Sequence, residues 1–471
     1  MPAAPFLSQH RRPYRPVRIL LSGAALSVLA SFVGVGAARA DNLGAVLADA
    51  YNGNAAIQSQ RYTLRQTDEQ VPQALSGWRP KVELTGQLDR QKQFLNLSPA
   101  SDPHEIFNQT SVAIQVTQPL YSGGETVART KAAEATVAAG QAQLSDTEQN
   151  QLLLAAQAYL DTYRDQSDVA LSRNLQKVLT VNLGNVDSTF KAGAATETDT
   201  SQAQARLSGA NASVLAAEGN LAISRASFRQ VVGRDPQGEL SRPALIGRLP
   251  ATEADAEALA ISTNPAVLAA RQKLEAAKHE IDVERAGLLP KVNAVAGYQN
   301  NNNYLARGIH YDALEAGVQA SIPLYESGSV YSGIRAAKEA VSAAQSDVLQ
   351  AERTVRQQVS SAWNSLRSAR AQQQQYRDQI RANEIALNDT MKEVSVGTRT
   401  RLDTLNAEQE LFSSRVNLVG AEHDTLLASF RLEAATGAFT PQGLSLDVKA
   451  YDPKAHLNAV RDKWIGTGTP K

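Results

Sequence analysis

The sequence predicts an α+β membrane fold built as an internal duplication, with four long strands and two very long helical hairpins per chain. Three observations predict it. The stretch Pro119-Leu120-Tyr121 recurs as Pro323-Leu324-Tyr325, 204 residues on. No proline occurs from Leu120 to Asp235 or from Leu324 to Thr440, and a proline inside a helix costs about 3 kcal/mol or more. Ahead of each Pro-Leu-Tyr, apolar and polar residues alternate, the pattern of a strand with one dry face.

Residues 1–40 read as a secretory leader. Arg11, Arg12, Arg15 and Arg18 precede an apolar run from Ile19 to Val35, and Ala38-Arg39-Ala40 is a small-residue cleavage site. The first repeat, 41–240, opens with a helical stretch at Leu43–Gln70. It continues with a β-hairpin at about 81–119, where Val82, Leu84 and Leu88, and then Val112, Ile114 and Val116, alternate with polar residues. A helical hairpin follows at about 122–235. Gly193 stops its long arm and neighbouring Thr and Asp residues start the return arm.

The second repeat, 252–440, has the same order: a helix at Glu253–Ala286, a β-hairpin at about 291–323, and a helical hairpin at about 326–438 that turns at Gly397. Gln299–Asn303 reads as a polar loop tip between its strands. Asn54 answers Asn264, Trp78-Arg79-Pro80 answers Leu288-Leu289-Pro290, and Gly193 and Asp199 answer Gly397 and Asp403. In the second long arm, Val330, Ile334, Ala337, Val341, Ala344, Val348, Ala351, Val355, Val359, Ala362 and Leu366 recur at coiled-coil spacing. Each return arm is too short to pair with its long arm. The helix ahead of each β-hairpin, stacked on the return arm, makes up the difference. Residues 441–471 form a separate tail.

Composition excludes several classes. There is no cysteine, so there is no disulfide framework and no Cys metal site. Beyond the leader, 42 basic and 47 acidic residues leave a net charge of −5, with no basic patch for nucleic acid. The six histidines are scattered and no nucleophile, metal or phosphate-loop motif is present, so no enzyme, cofactor or metal is expected. No other apolar run is long enough for a membrane helix. Any membrane crossing is therefore made by strands. Four strands cannot close a barrel on their own, since roughly eight are needed, and open strand edges are not tolerated in lipid. The strands of several copies must close together.

With the duplication, the two Pro-Leu-Tyr…Gly joints and VGTRTRLDTLNAEQEL at 396–411, the chain resembles the TolC family of outer-membrane efflux channels over nearly all of its length beyond the leader. The resemblance implies a homotrimer whose 12-stranded barrel runs into a long α-helical periplasmic tunnel. It also implies an equatorial domain that includes the tail. In such a system the channel is passive, held in outer-membrane lipid and recruited by a periplasmic adaptor and an inner-membrane pump of RND or ABC type.

The resemblance further implies a latch at the hairpin turns, matched here by Arg399 against Thr198 and Asp199, and a constriction ring matched by Asp403 and Asn406. The family carries a second acid where this chain has Asn406, so the ring should be less negative. Pro119, Tyr121, Pro323 and Tyr325 are expected to mark the strand–helix joints, each proline ending its strand and each tyrosine lying at the membrane boundary. The competing reading is a soluble periplasmic coiled-coil adaptor or scaffold, which would not need exposed apolar strands.

Overall fold

The computed structural model describes residues 41–93, 105–244 and 249–470; the leader expected at 1–40 lies outside the described residues. The chain opens with α1 (Leu43–Gly53), α2 (Ala55–Asp68) and α3 (Gln70–Leu75), then β1 (Lys81–Gln93) and β2 (Glu105–Ser122). The first helical hairpin is α4 (Glu125–Lys191) and α5 (Glu197–Val232). The order repeats with α6 (Glu253–Thr263), α7 (Pro265–Ala286), β3 (Lys291–Asn302), β4 (His310–Ser321), α8 (Ser329–Ser395) and α9 (Arg401–Ala435). A short α10 (Ala455–Val460) lies in the tail. Both α4 and α8 have 67 residues, about 100 Å each at 1.5 Å per residue.

Three boundaries differ from the sequence expectation, each for a local reason. The helical stretch before each β-hairpin is broken at an asparagine, at Asn54 and at Asn264. Strand β3 takes in Asn300–Asn302, which the sequence reading put in a loop tip, because they continue the ladder with β2 and β4. Pro119 does not end its strand. Pairing of β2 with β1 stops at Thr117, but pairing with β3 runs on to Ser122 and slips at a bulge between Pro119 and Tyr121. A bulge tolerates a residue with no N–H to donate. Pro323 lies past the end of β4, as expected.

The two asparagines explain how short helices complete a long hairpin. Asn54 Oδ1 accepts from Ala56 N at 2.8 Å and caps α2, while its Nδ2 donates to Val231 O, in the last turn of α5, at 3.1 Å. Asn264 repeats this: Oδ1 accepts from Ala266 N at 2.9 Å, and Nδ2 donates to Ala435 O at the end of α9 at 2.9 Å. Helix ends leave backbone donors and acceptors unsatisfied. Each buried asparagine satisfies one end of each kind, and so stacks two helices beside one long one. The amide carries its acceptor and its donors on separate atoms, so one side chain serves both helix ends at once.

The hydrophobic core sits midway along the long helices. One cluster joins Leu47 and Tyr51 of α1, Leu152 and Tyr159 of α4, Phe228 of α5 and Phe430 of α9, with Phe439 and Leu444 of the tail. The other joins Ala256 and Ala260 of α6, Val267 of α7, Val355, Val359, Ala362 and Leu366 of α8, and Leu432 of α9. Helix α9 therefore serves both. The tail is tied down by polar contacts. Arg61 lies between the rings of Tyr51 and Tyr451, 4.7 and 4.9 Å from their centroids, and pairs with Glu148. His456 Nδ1 meets the buried Asp68 carboxylate at 3.0 Å.

Two buried ionisable groups in α9 depend on pH in the same direction. His423 lies between Asp161 of α4 at 2.9 Å and Asp424 at 2.9 Å. Burial opposes its charge, but these hydrogen bonds outweigh burial and raise its pKa. Glu433 is wholly buried, neither carboxylate oxygen meets a partner among the described residues, and desolvation pushes its pKa up to about 7. The histidine's contribution is full below its unfolded value of ~6.5 and is lost as pH rises through the raised folded value. Glu433 ionises less readily when folded, so stability also falls from pH ~4.5 towards 7.

Two outcomes are expected. Asn264→Ala should destabilise by about 1–3 kcal/mol, because a buried carbonyl loses its donor and a helix its cap. Asn264→Ser should restore the cap but not the link to α9, and recover only part; thermal midpoints in detergent decide this. Glu433→Gln should flatten the loss of thermal midpoint between pH 5 and 8, on the order of 3 kcal/mol for this one group. An unaltered pH profile would show that the carboxyl is hydrated.

Candidate functional site

Two regions can carry function: the four-stranded sheet at one end of the helices and the hairpin turns at the other. The sheet is antiparallel in the order β1-β2-β3-β4, and its register builds rows across it. Leu84 pairs with Ile114, Ile114 with Tyr298, and Tyr298 with Leu314. The next row is Val82, Val116, Ala296 and Ala316. Directly paired residues share a face, so these rows form an apolar band on one face. It is also exposed: Leu314 is 86% and Leu84 72% accessible. The opposite face carries Glu83, Gln115, Gly297 and Glu315 in one row, and Gln87, Ser111, Asn301 and Tyr311 in another. From Leu314 to Ile322 the apolar face extends ~27 Å along the chain, or about 21 Å once tilted by ~40°, close to the ~25 Å of an outer-membrane apolar band. The outer sides of β1 and β4 have no partner strand among the described residues.

The strand–helix joints lie at the inner margin of this band. Trp78, Tyr121 and Tyr325 are all exposed there, as an interfacial aromatic belt requires. After each tyrosine the chain reverses into a long helix through left-handed residues: Gly123 and Gly124 in the first copy, Ser327 and Gly328 in the second. A side chain at Gly123 would meet Ala286 O at 2.9 Å, so this joint is packed against the end of α7.

At the far end the two turns are built alike. Gly193 and Gly397 both adopt φ +79°. Gly193 N donates to Phe190 O and Ala194 N to Thr189 O; Gly397 N donates to Val394 O and Thr398 N to Glu393 O. These are paired Schellman closures. Three residues after each glycine a threonine caps the return helix, and three later an aspartate completes a capping box: Thr196 with Asp199, Thr400 with Asp403. Oδ2 of each aspartate accepts from the threonine N–H and hydroxyl, at 2.9 and 2.8 Å for Asp199 and at 3.0 and 2.8 Å for Asp403. The backbone hydrogen bond, then the hydroxyl, holds both carboxyls below the usual carboxylate range. Oδ1 takes no part in either cap.

The structure does not bring the expected latch residues together within one chain. Arg399 Nε pairs with Glu393 Oε2 of its own hairpin at 2.8 Å, and Asp199 is engaged with Thr196. Thr198 is exposed in the first turn of α5, and Asp403 is half-buried in the first turn of α9. Asn406 faces the other hairpin, where its Oδ1 accepts from Arg206 Nη2 at 2.8 Å. Sequence reading missed this contact with Arg206. Its partner lies 200 residues away, and no local spacing reveals that. Beside it, Leu405 packs on Leu175, Leu179 and Ala210. A cleft of about 230 Å³ separates the tips, lined by Val186, Asp199, Ala203, Arg401 and Leu402 among others. The links across the tips are thus one hydrogen bond and a small apolar contact, weak enough to be broken and remade. Among the described residues no group of His, Asp and Glu could hold a metal ion.

Residues 46–234 and 258–438 match the Outer membrane efflux protein family. The chain is 34% identical over 454 residues to the outer membrane efflux protein BepC of Brucella suis biovar 1, covering 96% of each. It is 28% identical to the outer membrane protein TolC of Vibrio cholerae over 443 residues, 92% of this chain and 97% of that one. The solved structure of a membrane protein from Pseudomonas aeruginosa shares the fold, with a TM-score of 0.75 at 18% identity over 86% of this chain and 92% of that chain. The exposed apolar sheet joined to long helices agrees with an outer-membrane channel, and the chain belongs to the Outer membrane efflux protein family.

Proposed function

We propose that three copies of the chain form a passive exit duct in the outer membrane, serving a tripartite efflux or type I secretion system. The observation that carries this is the sheet: four strands with an exposed apolar face and two unpaired edges. Lipid tolerates no open edge, so β1 of one copy pairs with β4 of the next, and three sheets close a 12-stranded barrel. The helices support the same assembly. Helix α4 is buried along most of its length, whereas α8 buries only Val355 to Ala369 and Thr390, leaving faces for a neighbour. A soluble scaffold has no use for such a sheet.

The sequence holds no phosphate-loop motif, in keeping with opening driven from outside, by a periplasmic adaptor and an inner-membrane pump acting on the hairpin tips. In the closed duct Arg399 would leave Glu393 for Asp199 and Thr198 of a neighbouring hairpin. Both ion pairs are exposed and weakened by solvent screening, so the exchange is nearly balanced and a docking partner can tip it. Asp403, with Oδ1 free of its cap, would supply a threefold acidic ring that favours cations. Asn406, bound to Arg206, adds no charge to it.

Single-channel recording in planar bilayers tests both assignments. Arg399→Ser should raise conductance, and Glu393→Gln, which frees the arginine for the latch, should leave it unchanged or lower it; equal effects of the two would remove the latch. Asp403→Ala should lower cation selectivity and weaken block by trivalent cations. Because its carboxyl is held below the usual range, selectivity in the unaltered protein should persist at pH 5. Identical block in both proteins would place Asp403 away from the constriction.

A further inference from the structure

The two margins of the apolar face differ in charge. At the margin next to the helices the exposed groups are Trp78, Tyr121, Leu324 and Tyr325. The lysines there are neutralised: Lys81 by Glu83 at 2.9 Å and Lys291 by Glu125 at 2.9 Å. At the margin farthest from the helices the pattern changes. Along β1 the face reads Val82, Leu84, Gly86, Leu88, then Arg90 and Lys92. Alternation puts all six on the same side, so the two cations follow directly on the apolar band, and both are exposed.

The fold brings a third cation to the same place. Arg90 is opposite Asn108 and Lys92 opposite Ile106. The β3–β4 loop folds back over this end of β2: Asn303 Nδ2 donates to Asn108 O at 2.8 Å and Arg307 Nη2 to Ile106 O at 3.1 Å. Arg307 therefore reaches the β2 residue opposite Lys92, at the same margin of the sheet as Arg90, although it is over 200 residues from both. Lys92 and Arg307 make further contacts of their own. Asp312, the carboxylate of the described strands on this face, is three strands away in β4 of the same chain, about 14 Å at 4.8 Å per strand; closure of the barrel brings β4 of the next copy beside β1, where its Asp312 competes with phosphate for Arg90. It already accepts from Tyr298 and Asn300.

We propose that this rim binds the phosphate groups of a phosphorylated lipid headgroup in the outer leaflet, with the acyl chains lying on the apolar rows below. Two features single out a lipid over a free anion. The cations adjoin a face that needs acyl chains, and they lie at the margin away from the helices, which on the duct reading faces the cell exterior. Guanidinium groups suit phosphate because their donors match its oxygens pairwise. The proposal rests on the sheet being a barrel wall.

The test uses the full protein purified in detergent and followed by native mass spectrometry. The probes are bisphosphorylated lipid A, the same lipid with its phosphates removed, and inorganic phosphate as competitor. The unaltered protein should retain the bisphosphorylated lipid roughly tenfold more tightly than the dephosphorylated one, and millimolar inorganic phosphate should not displace it. Arg90→Gln with Lys92→Gln should abolish that preference while leaving retention of the dephosphorylated lipid and channel conductance unchanged. Equal retention of the two lipids by the unaltered protein would overturn the headgroup site and leave the barrel wall standing. Loss of both lipids, with a chain soluble without detergent, would overturn both. If Arg90→Gln and Asp312→Asn lower the thermal midpoint alike without changing lipid preference, Arg90 pairs across the closing edge between copies instead.

Discussion

Everything in this molecule follows from one unmet requirement: a sheet whose outermost backbone groups have no partner. Strands β1 and β4 each present a free edge, and the face between them is apolar and exposed. In water such a sheet aggregates; in lipid an unpaired edge costs several kcal/mol per backbone group. Closure with other copies removes both problems at once. The helices below must then be long, slender and two-sided, because each copy supplies only a sector of the wall.

The helical part meets the same demand by stacking instead of winding one continuous partner. Asn54 and Asn264 each join the end of a return helix to the start of another through one amide. This places the core, with its aromatic residues, midway along the long helices, where Tyr51, Tyr159, Phe228, Phe430 and Phe439 collect. The tips are left with small residues, capping boxes and sparse contacts. Stability is therefore concentrated at the waist and the tips are free to move, a distribution that suits a gate distant from the membrane.

Charge follows the same division. Polar contacts, Arg61 against the Tyr451 ring and His456 with the buried Asp68, hold the tail to the waist. At the tips the charged pairs are exposed, as that of Arg399 with Glu393 is. Exposed pairs of this kind choose between states without stabilising either strongly.

The sequence by itself determined the elements and their order, because these depend on local chemistry. The absence of proline marked the long helices, the seam from Val330 to Leu366 marked their packing face, alternation marked β1, β2 and β4, and Gly193 and Gly397 marked the turns. The equivalence of Asn54 and Asn264 was also legible, but not its purpose, since each donates to a carbonyl at least 170 residues away. Only the tertiary structure decided that Pro119 lies in a bulge, that Asn300–Asn302 extend a strand, and that Asn406 turns to Arg206. The ladder between β2 and β3, the contact between the hairpins and the hydrogen bond from Arg307 to β2 join residues far apart in the chain. No local pattern encodes such pairings; they follow from which surfaces remain to be buried once the helices and strands have formed.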